Sequence, residues 1–230
     1  MNFDNHDKQD VLFANRWIVE KGLTQLTWGN VSARNIEKEV IYIKPSGVNL
    51  DFTTREDISE VTLSGVHCNG KKPSVDVLTH LELYKGFPWV NSVVHTHSKY
   101  ATLFAQANMD IPCLGTTHAD YFYGDIPCVP HPTKQQTNED YELNTGVVIC
   151  EYFAKNNIDS MKMQSCVVSG HGTFSWGHDL DACLENAFVL ETLAEMAHGT
   201  LMLNKEVIFS DYILEKHFLR KHGDNSYYGQ

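Results

Sequence analysis

Residues 91–97 read Asn91-Ser92-Val93-Val94-His95-Thr96-His97, and the way this run is parsed decides the rest. Adjacent β-branched residues favour a strand. Side chains alternate faces along a strand, so His95 and His97 point the same way, close enough to share one ion. A second β-rich run, Ser165 to Ser169, is followed by Gly170-His171-Gly172, whose glycines can present a third imidazole at a strand end with little crowding. Three imidazoles suit Zn2+ with one position left for substrate. The chain has 12 histidines, so the His-x-His spacing taken alone fits a pair of surface or hydrogen-bonded histidines equally well.

Outward from these strands, Val11, Leu12, Ile18 and Val19 recur at helical spacing over residues 8–21, and Gly22 offers a left-handed stop. A further strand is expected over 39–43. A helix of about three turns is expected after Ser74, whose side chain suits an N-cap. From Asp179 onward Leu180, Cys183, Ala187, Leu190, Ala194 and Ala197 form one helical stripe, and a last helix should run from near Ser210 to Gly223. Helices interleaved with strands, without repeats or a composition break, predict an α/β or α+β fold in one domain over residues 1–230. Strand order cannot be read from this pattern.

The formal charge of -11 disfavours a general attraction to nucleic acid or anionic membranes, so an anionic small substrate needs a local pocket of donors. The polar, acidic residues 1–10 and the absence of an apolar run of about 18 residues predict a cytoplasmic protein that does not span a membrane. Six widely spaced cysteines without a Cys-x-x-Cys pair predict mostly buried free thiols.

Other His-x-His sites fit less well. A cupin site wants a glutamate soon after the pair, and Ser98 to Asn108 holds no acid; a metallo-β-lactamase-like site continues as His-x-Asp-His, where this chain has Ser98-Lys99-Tyr100. Asp76, expected in the first helical turn, reads as a helix-start residue, a metal ligand or an acid/base. His80 reads as packing or support behind it. Thr27-Trp28-Gly29-Asn30-Val31-Ser32 and Lys44-Pro45-Ser46-Gly47 offer hydroxyl, amide and backbone donors beside one lysine, which suits an anion, although either is also an ordinary turn.

In order and spacing, Leu26 to Ala33, Ile43 to Val48, Val94 to Ser98, Gly115-Thr116-Thr117-His118-Ala119-Asp120-Tyr121-Phe122-Tyr123-Gly124, Lys216 to Gly223 and Tyr227-Tyr228-Gly229-Gln230 resemble the L-ribulose-5-phosphate 4-epimerase family, within the class II aldolase superfamily. The likeness spans nearly the whole chain. It implies a three-layer α/β/α sandwich with a mainly antiparallel central sheet, and a cyclic homotetramer with active sites at subunit boundaries. Zinc, one per chain, would sit on His95, His97 and His171, with Asp76 at the metal as ligand or proton carrier; Mn2+ and Co2+ stay open. Asn30, Lys44, Ser46, Gly47 and Ser74 would hold phosphate. Asp120 and Tyr228 would be the acid/base pair across the boundary, supported by Thr116, Glu142 and His217. Two departures stand out: Ser74-Val75-Asp76 where the family reads Ser-Ser-Asp, and Ser169-Gly170 before His171 where it reads His-Ser. A buried Val75 would leave a phosphate oxygen short of one donor.

The implied reaction explains these residue types. C4 of a 2-ketopentose phosphate is β to the carbonyl, so its hydrogen is not acidified. Removing the C4 hydroxyl proton instead allows C3–C4 to break into an enediolate and an aldehyde, and rotation of the aldehyde before re-addition inverts C4. Stabilising that enediolate is Lewis-acid work, and two acid/base groups must serve the two aldehyde faces. An aldolase, or an epimerase of a related keto-sugar phosphate, would use the same metal; a non-catalytic metal-binding homologue is the remote alternative. Arabinose or ascorbate breakdown could supply the substrate.

Overall fold

Sequence-local chemistry sets the first element of the computed structural model, which describes residues 6–228 and leaves residues 1–5, Gly229 and Gln230 outside. Asp7 caps helix α1 (Lys8–Glu20) by accepting from the backbone of Gln9 and Asp10, while the Asp10 carboxylate accepts from the Asp7 N–H at 2.8 Å. This reciprocal box satisfies amides that would otherwise lack partners. At the other end Gly22 takes φ +72°, and the Leu23 N–H reaches back to Ile18 O at 2.9 Å, closing the helix as its glycine predicts.

Strands β1 (Asn30–Asn35), β2 (Val40–Ile43), β3 (Ser59–Thr62) and β4 (His67–Asn69) form a meander. Helix α2 (Val77–Gly86) then leads to β5 (Ser92–Thr96), followed by α3 (Lys99–Ala107), the short α4 (Thr116–Ala119) and β6 (Cys128–Val129). Helix α5 (Lys134–Lys155), β7 (Ser165–Val168), β8 (Thr173–Gly177), α6 (Leu180–Leu203) and α7 (Asp211–His222) complete the described chain. The eight strands form one sheet in the order β4-β3-β2-β1-β5-β8-β7-β6, antiparallel except for β6 with β7. This is an α/β arrangement with helices around a mostly antiparallel sheet, as the resemblance implied.

Alternation along the strands sorts side chains into two apolar layers. Val31, Ala33, Tyr42 and Val94 pack with α1 and the first half of α6, whereas Ile41, Ile43, Val61 and Val93 pack with α2, α3 and α5. Trp176 of β8, fully buried, sits between Phe87 and Phe153 at centroid distances of 5.0 and 5.3 Å and ties α2 and α5 to the sheet. All six cysteines are free and only Cys68 is exposed. Among the described residues no helix is long and apolar enough to cross a membrane.

Two expectations change. The strand expected over 39–43 begins at Val40, because Glu39 turns the chain with φ +55°. The helix expected after Ser74 starts at Val77 with Asp76 as N-cap residue, and neither side chain caps it. Ser74 is held elsewhere: its N–H donates to Lys44 O at 3.0 Å and its hydroxyl to Asp76 Oδ2 at 3.2 Å. The Ser74 oxygen that a local cap would use as acceptor instead accepts from Asn30 Nδ2 of β1 at 3.0 Å.

Helices α2 and α5 meet at a glycine. A Cβ on Gly146 would lie 2.6 Å from Glu82 Cβ and 2.8 Å from Thr79 O, so Gly146→Ala should force the helices apart and destabilise the protein by about 1–3 kcal/mol. Gly199, exposed in α6 with nothing within 4 Å of where an added methyl would stand, should respond oppositely, gaining up to about 1 kcal/mol as alanine. Equilibrium denaturant titration of both variants checks the opposite signs.

Candidate functional site

Pairing of β5 with β8 sets Thr96 opposite Thr173 and His95 opposite Phe174. In that register the His95 Nδ1–H donates to Thr173 O at 2.8 Å, which fixes the tautomer and leaves the Nε2 lone pair facing outward. The Phe174 ring stacks on His95, centroids 4.4 Å apart and 17° between planes, so the imidazole cannot rock. His97, one residue past the strand end, brings its Nε2 to 3.1 Å from His95 Nε2. The turn between β7 and β8 delivers His171: Gly170 adopts φ +66°, and a Cβ on Gly172 would lie 2.6 Å from Thr96 O and 2.9 Å from His97 Cδ2. One ligand nitrogen of each imidazole lies within 4.8 Å of the others.

The donor set fits a divalent cation. Burial first, and then the neighbouring imidazoles, push His171 down to about 3 and His97 to about 4. At neutral pH both are therefore uncharged and carry the lone pair a metal requires. Tyr141 Oη stands 3.2 Å from His171 Nδ1 and supports that ring from behind. It lies just past a break in α5 at Asp140, whose carboxylate accepts from the Leu143 N–H and restarts the helix.

Asp76 stands beside the three rings. Its Oδ2 accepts from Asn30 Nδ2 at 2.7 Å and from Ser74 Oγ at 3.2 Å. Burial opposes its ionisation, but the His95 and His80 imidazoles and the Asn30 bond outweigh that, and the carboxyl is held below its usual range. His80 is fully buried and neutral, its pKa lowered by burial to about 3, with Nδ1 2.7 Å from Ser32 Oγ.

The anion-binding candidates also come together. The Lys44-Pro45-Ser46-Gly47 turn bridges to Pro73, with Ser46 N donating to Lys72 O at 3.0 Å and Gly47 at φ +63°. Lys44 is buried and its Nζ donates to Thr27 O at 2.7 Å, which pins the Thr27 to Gly29 loop against the same corner. Burial lowers the Lys44 pKa, with Asp76 opposing. Gly29 has to be glycine, since at φ +68° a Cβ would meet His95 O at 2.8 Å. Asn30 Oδ1 is buried without a partner among the described residues, while its Nδ2 donates to Ser74 Oγ at 3.0 Å and Asp76 Oδ2 at 2.7 Å. Val75 is 55% exposed rather than buried, because its neighbours Ser74 and Asp76 take the inward positions.

A second cluster forms at the end of α4. Asp120 receives a two-point fork from Arg220, Nε to Oδ1 at 3.1 Å and Nη2 to Oδ2 at 2.8 Å, and a bond from His217 Nδ1 at 3.1 Å. His222 Nε2 donates to the Asp120 carbonyl at 2.8 Å. Burial opposes ionisation of Asp120, and the Arg220 and His217 bonds more than offset it. Tyr228 lies over Arg220, its ring 4.2 Å from the guanidinium carbon. Among the described residues no hydrogen bond or ion pair joins this cluster to the three-histidine group. Thr116 is exposed at the first position of α4, and Glu142 is half-buried in α5, where its carbonyl accepts from Thr79 Oγ1. Tyr141, Phe174 and Arg220 were missed as site residues from the sequence. Arg220 alone carried a signal, one helical turn after His217; Tyr141 and Phe174 act through placement by remote segments.

The family profile described as Class II Aldolase and Adducin N-terminal domain matches residues 9–198. Among solved structures, an L-fuculose 1-phosphate aldolase is similar at 21% identity, covering 91% of this chain and 93% of its own, with a TM-score of 0.76. The l-fuculose-1-phosphate aldolase of Thermus thermophilus is similar at 24% identity over 86% of this chain and 93% of its own, TM-score 0.64. An aldolase II superfamily protein from Pseudomonas syringae shares 14% identity over 96% of this chain and 86% of its own, TM-score 0.76. At these identities the likeness is one of fold.

Because the Gly172 position abuts His97, Gly172→Ala should displace that ring and weaken divalent-metal affinity by about 10- to 100-fold. His97→Asn should abolish stoichiometric binding while the circular-dichroism spectrum is retained. Chelator competition followed by metal analysis measures both.

Proposed function

The chain belongs to the Class II Aldolase and Adducin N-terminal domain family, and on that premise we propose that it is an L-ribulose-5-phosphate 4-epimerase acting through zinc at His95, His97 and His171. The observation that carries this reading is the pairing of two proton carriers, Asp120 and Tyr228, around one arginine in a cluster separate from the histidines. An epimerase must remove and return a proton on either face of a rotating aldehyde, so it needs two such groups where one-sided addition needs one.

The corner formed by buried Asn30, Lys44 and Ser74 and exposed Ser46 and Gly47 binds the phosphate, leaving C2 and C3 of the sugar toward the imidazoles. When bound, zinc supplies Lewis acidity to the oxygens on which negative charge develops. One of Asp120 and Tyr228 takes the C4 hydroxyl proton as C3–C4 breaks, giving the dihydroxyacetone enediolate and glycolaldehyde phosphate. Rotation of the aldehyde presents its other face. The bond then re-forms, and the second group gives a proton to the new C4 alkoxide. Thr116, Glu142 and His217 line the path, and Asp76 holds Asn30 and Ser74 in place or joins the metal. In this reading Asp120 and Tyr228 serve the histidines of a neighbouring subunit, within a homotetramer. The likeness to fuculose-phosphate aldolases favours a second reading, an aldolase that releases its aldehyde.

Incubation with L-ribulose 5-phosphate decides between them: D-xylulose 5-phosphate should accumulate, whereas free glycolaldehyde phosphate would mark the aldolase. Asp120→Asn should lower turnover by about 10²- to 10⁴-fold with metal content unchanged. Co-expressed His97→Asn and Tyr228→Phe chains, each nearly inactive alone, should regain partial activity as mixed oligomers, since some sites then combine intact halves from two subunits. Absence of recovery in co-purified mixed oligomers would sink the shared site.

A further inference from the structure

Arg220 engages both proton carriers at once. The edge of its guanidinium holds the Asp120 carboxylate at two points, its guanidinium carbon lies 4.2 Å from the Tyr228 ring centroid, and its own carbonyl accepts from the Tyr227 and Tyr228 N–H groups at 2.9 and 3.2 Å. We propose that Arg220 is the positioning residue of the proton-transfer pair, gathering Asp120 and Tyr228 into one preset geometry and acting as their common counter-charge. The inference rests on the reading of those two groups as the acid/base pair.

An ordinary ion pair tying α7 to α4 would need only the carboxylate bond. Here the same residue also anchors the chain beyond α7 through its backbone, where Gly223 ends the helix, and sets its guanidinium over the Tyr228 ring. Such use of edge and face together is available to arginine and not to lysine, whose ammonium is a compact point charge. The surroundings are otherwise mixed. From α7, His217 and His222 donate to Asp120 and Lys221 lies 3.5 Å from the Tyr121 ring centroid; Tyr121 in turn donates to Glu185 of α6, and His118 on Asp120's own helix donates to the Gly124 carbonyl. Arg220 is the group that faces both Asp120 and Tyr228 with a permanent positive charge.

A cation beside an acid lowers that acid's pKa, and Arg220 helps hold Asp120 below its usual range, so removing the charge should raise the Asp120 value. In Arg220→Gln the acidic limb of the kcat/KM profile should move to higher pH, and kcat should fall by up to about 10²-fold with KM and bound zinc unchanged. Arg220→Lys should return the limb toward the parent position but leave kcat at least about tenfold low, because it restores charge without the fork or the flat face. Parent-like kcat and limb in Arg220→Gln, or full recovery of kcat in Arg220→Lys, would each overturn the proposal while leaving the acid/base reading standing. Full turnover in both Asp120→Asn and Tyr228→Phe would remove that reading and the proposal with it.

Discussion

The hydrogen bond from His95 Nδ1 to the Thr173 carbonyl is the constraint on which the site depends. It exists because β5 and β8 pair antiparallel in one register; a slip of one residue would turn His95 to the opposite face of the sheet. With that bond made, the Nε2 lone pair has a fixed direction, Phe174 has a ring to stack on, and the β7–β8 turn that follows from the same pairing brings His171 to the pair. The glycines at 29 and 172 are then required by proximity: each lets backbone pass within 3 Å of where a side-chain carbon would stand, against the carbonyls of His95 and Thr96.

Beneath the rings the sheet carries an unusual share of polar groups. Asn30, Ser32, His80 and Lys44 are all essentially inaccessible to water, and each makes at least one hydrogen bond within the protein, while Asn30 Oδ1 and His80 Nε2 are left without a partner among the described residues. Ser32 Oγ is 2.7 Å from both His80 Nδ1 and Tyr84 Oη, so one hydroxyl links α2 to β1, the strand paired with β5. Burying such groups costs stability unless they are paired, and a network paired in this way resists rearrangement. Rigidity of this kind is what a three-imidazole group needs if its nitrogens are to stay convergent before an ion arrives.

The cluster around Asp120 is built by different means. Its members lie on short α4, on the last turns of α7 and in the chain beyond it, and they are joined by charge-assisted bonds rather than by the sheet.

Much of this was legible in the residues themselves. Strand alternation put His95 and His97 on one face, glycines marked the turn that presents His171, apolar stripes located α1 and α6, and local motifs carried the family and its α/β fold. These are signals of short range, set by backbone sterics and by side-chain period. Strand order, the break in α5 that seats Tyr141, the displacement of the α2 cap from Ser74, the exposure of Val75 and the bond from Arg220 to Asp120 were not legible. Each depends on which groups separated by tens of residues meet, and that is settled by the packing of whole layers, where a buried donor takes the acceptor that the fold brings to it rather than the one nearest in the chain.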